Sequence, residues 1–177
     1  MSYVFFPGCS LEGSAWDFRK STLSVAKALG LRLPEIPDWI CCGSTPAHQT
    51  DPVLAVALPA KNLLAAQGKT VAVCCAACYS RLKTANHELR RDPETRRSVA
   101  EVVGTDYDGT TRVLHLLEIL VHDVGISRLR EAVRPPLFIP LQAPNSHPSP
   151  SHIEHRLLVP KPPSSTPTSI KIKLRNP

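Results

Sequence analysis

Six cysteines stand in this chain, Cys9, Cys41, Cys42, Cys74, Cys75 and Cys78, and none follows them. Cys9 comes directly after Pro7-Gly8, Cys41 and Cys42 are adjacent and precede Gly43, and Cys75 and Cys78 form a C-x-x-C. Thiolates are soft ligands that suit zinc and iron–sulfur clusters. A lone C-x-x-C also fits thioredoxin-like redox chemistry. Mononuclear zinc takes four ligands, usually as two C-x-x-C-like pairs, and only one such pair is present. A cubane cluster also takes four. Five convergent thiolates, Cys9, Cys41, Cys42, Cys75 and Cys78, therefore suggest a multi-iron cluster of unusual form. Zinc and buried structural cysteines stay open beside it. Adjacent side chains in a loop can aim in different directions, so Cys41 and Cys42 could ligate different metal atoms. Gly8 and Gly43 allow backbone to approach sulfur closely. The C-x-x-C spacing favours Cys75 over its neighbour Cys74.

Other residues near these loops carry less. His48 lies six residues past Cys42 and could give a hydrogen bond or a proton to a substrate thiolate, since histidine titrates near neutrality. It serves equally as a loop histidine that caps backbone groups. His87 reads as exposed or structural, and His115 as packed near the sheet edge or facing the site. Trp16 and Trp39 read as core or rim residues. Tyr79 flanks Cys78, either shielding the site or simply packing. No Gly-rich phosphate loop and no nucleophile elbow occurs.

For three cysteine groups to meet, the chain must bring three loops to one edge. Tyr3–Phe6 is an apolar, aromatic run ending at Pro7-Gly8, which predicts a buried strand just before Cys9. Leu31–Ile36 is a second candidate strand and Thr70–Val73 a third. Between them, Ser14 reads as the cap of a helix that Gly30 stops, and Asp51-Pro52 opens a helix that Gly68 ends. A helix follows from Ala76 to Arg91, Asp92-Pro93 opens another through Val103, and Arg112–Val124 reads as a further helix. Alternating strands and helices predict an α/β fold, a mostly parallel sheet flanked by helices, with cysteines in the strand-end loops where sites form.

Composition changes abruptly after Arg134. Of 18 prolines, 11 fall between Pro135 and Pro177. Such a stretch cannot bury enough apolar surface to offset its ordering entropy. The expected organisation is a globular domain over residues 1–134 and a disordered Pro/Ser-rich tail over 135–177, with Ile170–Leu174 at most a lone edge strand. The net charge of +6 divides as +4 in the tail and +2 in the body. With no basic run in the body, nucleic acid is not an expected partner. No apolar stretch approaches ~18 residues, so no membrane span is expected. The N-terminal residues lack the positive segment of a secretory signal, which predicts a cytoplasmic protein with reduced cysteines.

Phe6-Pro7-Gly8-Cys9-Ser10, Cys41-Cys42-Gly43-Ser44 and Cys75-Ala76-Ala77-Cys78 together resemble the cysteine-rich CCG motif of the heterodisulfide reductase B subunit and its relatives. Asn62-Leu63-Leu64, Cys78-Tyr79-Ser80-Arg81-Leu82, Ala85-Asn86-His87 and Val113–Glu118 match as well. The resemblance covers roughly residues 2–134. It implies that Cys9, Cys41, Cys42, Cys75 and Cys78 ligate a noncubane [4Fe–4S] cluster that passes electrons to a small disulfide. It also implies iron–sulfur electron-donating subunits as partners. A non-catalytic electron carrier or a zinc-binding interaction module is the alternative. Members of that family carry two CCG domains in tandem, and this chain has cysteines for one. The unrelated character of residues 135–177 is what a truncated or frameshifted gene product would show.

Overall fold

The computed structural model describes residues 2–44 and 47–133, apart from the side chain of His48. The tail from residue 135, its expected disorder and the Ile170–Leu174 strand lie outside the described residues. Strands β1 (Tyr3–Phe6), β2 (Thr70–Val73) and β3 (Val113–His115) form a parallel sheet in the order β1-β2-β3. The register pairs Phe6 with Val73 and Val73 with His115, so all three strands end level with one another. The sheet is flanked by helices, as the alternation of elements predicts. Its strands are buried on both faces and accordingly read as continuous apolar runs. Val4, Phe6, Val71, Val73 and Val113 enter one core, and Tyr3, Phe5, Ala72 and Leu114 enter another, following the two-residue period of a strand.

The helices are α1 (Gly8–Glu12), α2 (Trp16–Ala28), α3 (Ala47–Thr50), α4 (Pro52–Ala65), α5 (Ala76–Arg91), α6 (Pro93–Val103), α7 (Leu116–Glu118) and α8 (Ile126–Ala132); a π-helical turn spans Ile119–Val124. Both Asp-Pro starts behave as expected. Asp51 Oδ1 accepts from the N–H groups of Val53 and Leu54 at 2.8 and 3.0 Å, and Asp92 Oδ1 accepts from Glu94 N–H at 3.0 Å. Pro59 sits inside α4 and has no N–H to give to the carbonyl of Ala55. Arg81 Nη2, from α5, donates to that carbonyl at 3.1 Å. A local defect in one helix thus becomes a tether to the next.

Three sequence expectations need correction. Leu31–Ile36 is not a strand. It touches β1 through one bridge, Phe5 to Glu35, with hydrogen bonds Phe5 N to Pro34 O and Ile36 N to Phe5 O. Pro34 and Pro37 each lack the donor that a longer ladder needs. Arg112–Val124 is not one helix, because Val113–His115 pair with β2 and helix begins only at Leu116. The apolar spacing of that window fits either element, and tertiary pairing decides. Ser14 does not cap α2, whose N-cap is Ala15 with no side-chain hydrogen bond. Among the described residues, no helix is long and apolar enough to cross a membrane.

Candidate functional site

The loops that follow β1 and β2 leave the same edge of the sheet, and the Cys41-Cys42 loop reaches that edge from beside β1. Cys9 lies in the first turn of α1, and Cys75 is the N-cap of α5 with Cys78 in its first turn. The structure gathers the thiols in pairs. Cys42 Sγ and Cys78 Sγ are 3.3 Å apart, and Cys9 Sγ and Cys41 Sγ are 3.8 Å apart. Cys75 interacts with the Cys78 thiol. Residues distant by 32 and 36 positions thus meet sulfur to sulfur.

Backbone shape makes this approach feasible. Gly8 has φ +70°, and a Cβ there would stand 2.8 Å from Cys78 Sγ. Gly43 has φ +71°, and its N–H points to Cys41 Sγ at 3.5 Å. The left-handed backbone at both positions is costly for any residue with a side chain.

The two buried thiols hold their protons unequally. The Cys78 thiol donates to Cys42, whose pKa falls to about 6 with further help from Ser44, despite opposition from burial. Donation to Cys42 and then burial hold the Cys78 proton on far above the usual thiol range. Burial, then the neighbouring Cys41, raises Cys9. Among the described residues, no three His, Cys, Asp or Glu side chains crowd about one point as a single ion requires.

Residues 3–83 match the family model of the CCG cysteine-rich domain. The chain is 34% identical over 138 residues to the 8-methylmenaquinol:fumarate reductase membrane anchor subunit of Wolinella succinogenes, covering 76% of this chain and 48% of that one. It is 30% identical over 142 residues to an Archaeoglobus profundus protein described as like the heterodisulfide reductase B subunit, covering 76% and 47%. It is 28% identical over 138 residues to the B subunit of a ferredoxin/F(420)H(2)-dependent CoB-CoM heterodisulfide reductase of Methanosarcina acetivorans, covering 75% and 46%. Residues 3–83 form a CCG cysteine-rich domain, and the chain is similar to proteins of the heterodisulfide reductase B-subunit type. It spans about half the length of the curated relatives it matches.

Within this CCG domain the sixth cysteine stands apart. Cys74 Sγ is buried on the second core, 3.5 Å from Thr22 Oγ1, and burial raises its pKa. Its neighbour Cys75 is only partly buried. His48 lies in α3, and its side chain is outside the described residues. His87 is exposed. His115 caps α7 and reaches Cys74 O, and its ring meets that of Tyr79 edge-on at 5.7 Å. Trp39 packs edge-on against Phe6, whereas Trp16 is largely exposed beside Arg19 and Lys20.

Sequence reasoning did not give Asn62 its role. This residue of α4 is 1% exposed, and its amide holds Ile40 at both ends: Ile40 N–H donates to Oδ1 at 2.8 Å, and Nδ2 donates to Ile40 O at 3.0 Å. Nδ2 also donates to Leu58 O at 3.1 Å. The residue just before Cys41 is therefore anchored to a helix. A polar residue in the apolar stripe of α4 was the available signal.

Proposed function

We propose that this CCG domain holds a noncubane [4Fe–4S] cluster through Cys9, Cys41, Cys42, Cys75 and Cys78, and acts as an oxidoreductase domain of a heterodisulfide reductase-like complex. In that role it passes electrons from iron–sulfur donor subunits to a small disulfide, in the reducing environment of the cytoplasm. The supporting observation is the meeting of thiols from three separate loops in two close pairs. The donors fit the group: they are soft thiols, brought together from three loops as close pairs. Gly8 and Gly43 leave room where a side chain would intrude.

A bound cluster would supply single electrons to a substrate whose reduction needs two. The chain's own residues have other tasks. Cys42 and Cys78 fix the inner side of the site in the core, while Cys9 and Cys41 face solvent, from which a substrate arrives. Gly43 N–H offers a hydrogen bond to the Cys41 sulfur. Relatives twice as long would provide further groups, so the complete reaction belongs to an assembly and not to this domain alone.

The Wolinella relative supports a second reading, in which the domain exchanges electrons with a quinol-linked partner. The test is anaerobic purification of the full chain, reduction with a viologen dye, and separate addition of a mixed disulfide and of a soluble menaquinone analogue. Reoxidation by the disulfide alone supports the first reading, and reoxidation by the quinone alone supports the second. Reoxidation by neither would leave a pure carrier and overturn both.

A further inference from the structure

His115 closes β3 and makes contacts in three directions. Its Nδ1 accepts from the N–H of Leu117 at 3.3 Å, capping α7. A ring nitrogen that accepts has no proton, so the neutral ring carries its proton on Nε2. Nε2 lies 2.9 Å from the carbonyl oxygen of Cys74, to which it donates. The backbone N–H of His115 donates to Glu118 Oε2 at 2.7 Å, which holds the residue in place from below. On the far side, the His115 ring meets the Tyr79 ring edge-on.

The carbonyl of Cys74 belongs to the peptide plane whose other half is the N–H of Cys75. Cys75 is the N-cap of α5, with φ −81° and ψ +120°, and its own carbonyl receives the Tyr79 N–H at 2.9 Å. The direction of the Cys75 side chain is therefore set by two things. One is the tilt of the Cys74–Cys75 peptide, and the other is the first turn of α5. His115 holds both, the first by a hydrogen bond and the second through Tyr79. The distance in sequence, 41 residues, means that only the parallel pairing of Val73 with His115 brings the clamp to this strand end.

We infer that His115 is a positioning residue that aims the Cys75 thiol into the site through the Cys74 carbonyl. Its relevance to metal loading rests on the proposal that Cys75 is a ligand. The two ring nitrogens can be separated by substitution. In His115→Asn the short amide keeps an acceptor for Leu117 N–H, a favoured N-cap, but does not reach Cys74 O. In His115→Gln the longer amide reaches Cys74 O and loses the cap. The full chain is prepared anaerobically, made metal-free with a chelator, and alkylated with iodoacetamide, and the rate at each cysteine is followed by peptide mass mapping. His115→Asn is expected to raise the rate at Cys75 about five-fold, the effect of losing one neutral hydrogen bond that holds a loop closed. The rates at Cys9 and Cys41 should be unchanged, and His115→Gln should restore the Cys75 rate. An unchanged Cys75 rate in His115→Asn, or a His115→Gln protein that behaves like it, would overturn the inference. Iron retained by reconstituted protein is measured in parallel and should fall in the same order. Full iron in Cys75→Ser would refute the ligand assignment alone and leave the alkylation result to judge the clamp.

Discussion

The two cysteine pairs of this domain differ in what surrounds them. Cys42 and Cys78 are 1% and 2% exposed and belong to the main core with Val4, Phe6, Val73 and Leu82. Cys9 and Cys41 are exposed, and their sulfurs sit 0.5 Å farther apart (3.8 against 3.3 Å). The buried pair inherits its geometry from packing that must form anyway for the sheet to exist. The exposed pair depends on two short pieces of backbone, the first turn of α1 and the loop after Ile40. One pair is thus set by the core of the domain, and the other is held by local contacts.

Removal of a single sulfur should separate the pairs most strongly. Cys42→Ser buries a hydroxyl where a thiol packed, which costs about 1–3 kcal/mol before any metal is considered. Cys41→Ser exchanges one exposed group for another. Both should lose bound iron roughly ten-fold or more, since metal binding needs the full ligand set. Only Cys42→Ser should also lower the melting temperature of the metal-free protein. Equal melting temperatures would erase the distinction between the pairs.

Asn62→Ala acts on the loop that serves both pairs. It strips the half-buried N–H and C=O of Ile40 of their partners and should destabilise the protein by about 1–2 kcal/mol. Urea denaturation measures this, with iron content falling for both pairs together. Gly8→Ala is narrower. A left-handed backbone costs about 1–2 kcal/mol for alanine, and the new methyl would push Cys78 Sγ aside. Iron loading should drop more than at Gly43→Ala, where the nearest atom is the mobile end of Leu58. Equal loss at both glycines would show that backbone conformation, and not room for sulfur, governs the site.

The smallest effect belongs to Cys74→Ala. Its sulfur faces Thr22 in the other core, so loss of about 1 kcal/mol of stability is expected with iron content unchanged. Iron loss comparable to that of Cys75→Ser would mean that the two neighbours share the ligand role.

Much of this layout is legible in the sequence, for physical reasons that can be named. Tyr3–Phe6 and Thr70–Val73 are short apolar runs bounded by turn residues. Asp51-Pro52 and Asp92-Pro93 combine a side-chain acceptor with a residue that needs no donor, so the helix starts are fixed locally. Cys9 and the Cys75/Cys78 pair directly follow those strands, which is enough to predict that their two loops share one edge of the sheet. The misread elements are those decided at long range. Val113–His115 has an apolar pattern that suits helix or strand, and pairing with Val71–Val73 selects strand. Leu31–Ile36 has strand-like composition, but its prolines permit only one bridge. Asn62 and His115 hold carbonyls 22 and 41 residues away, and no local pattern announces such partners.

The central claim is that the five convergent thiols hold an iron–sulfur group. The measurement that tests it most directly is iron, acid-labile sulfide and zinc content of anaerobically prepared full chain. It is made beside a variant in which Cys9, Cys42 and Cys78 are all replaced by serine. The account predicts iron and sulfide in equal amounts, with broad visible absorbance, in the unaltered protein and neither in the variant. Zinc without sulfide in the unaltered protein, or full iron in the triple variant, would contradict it.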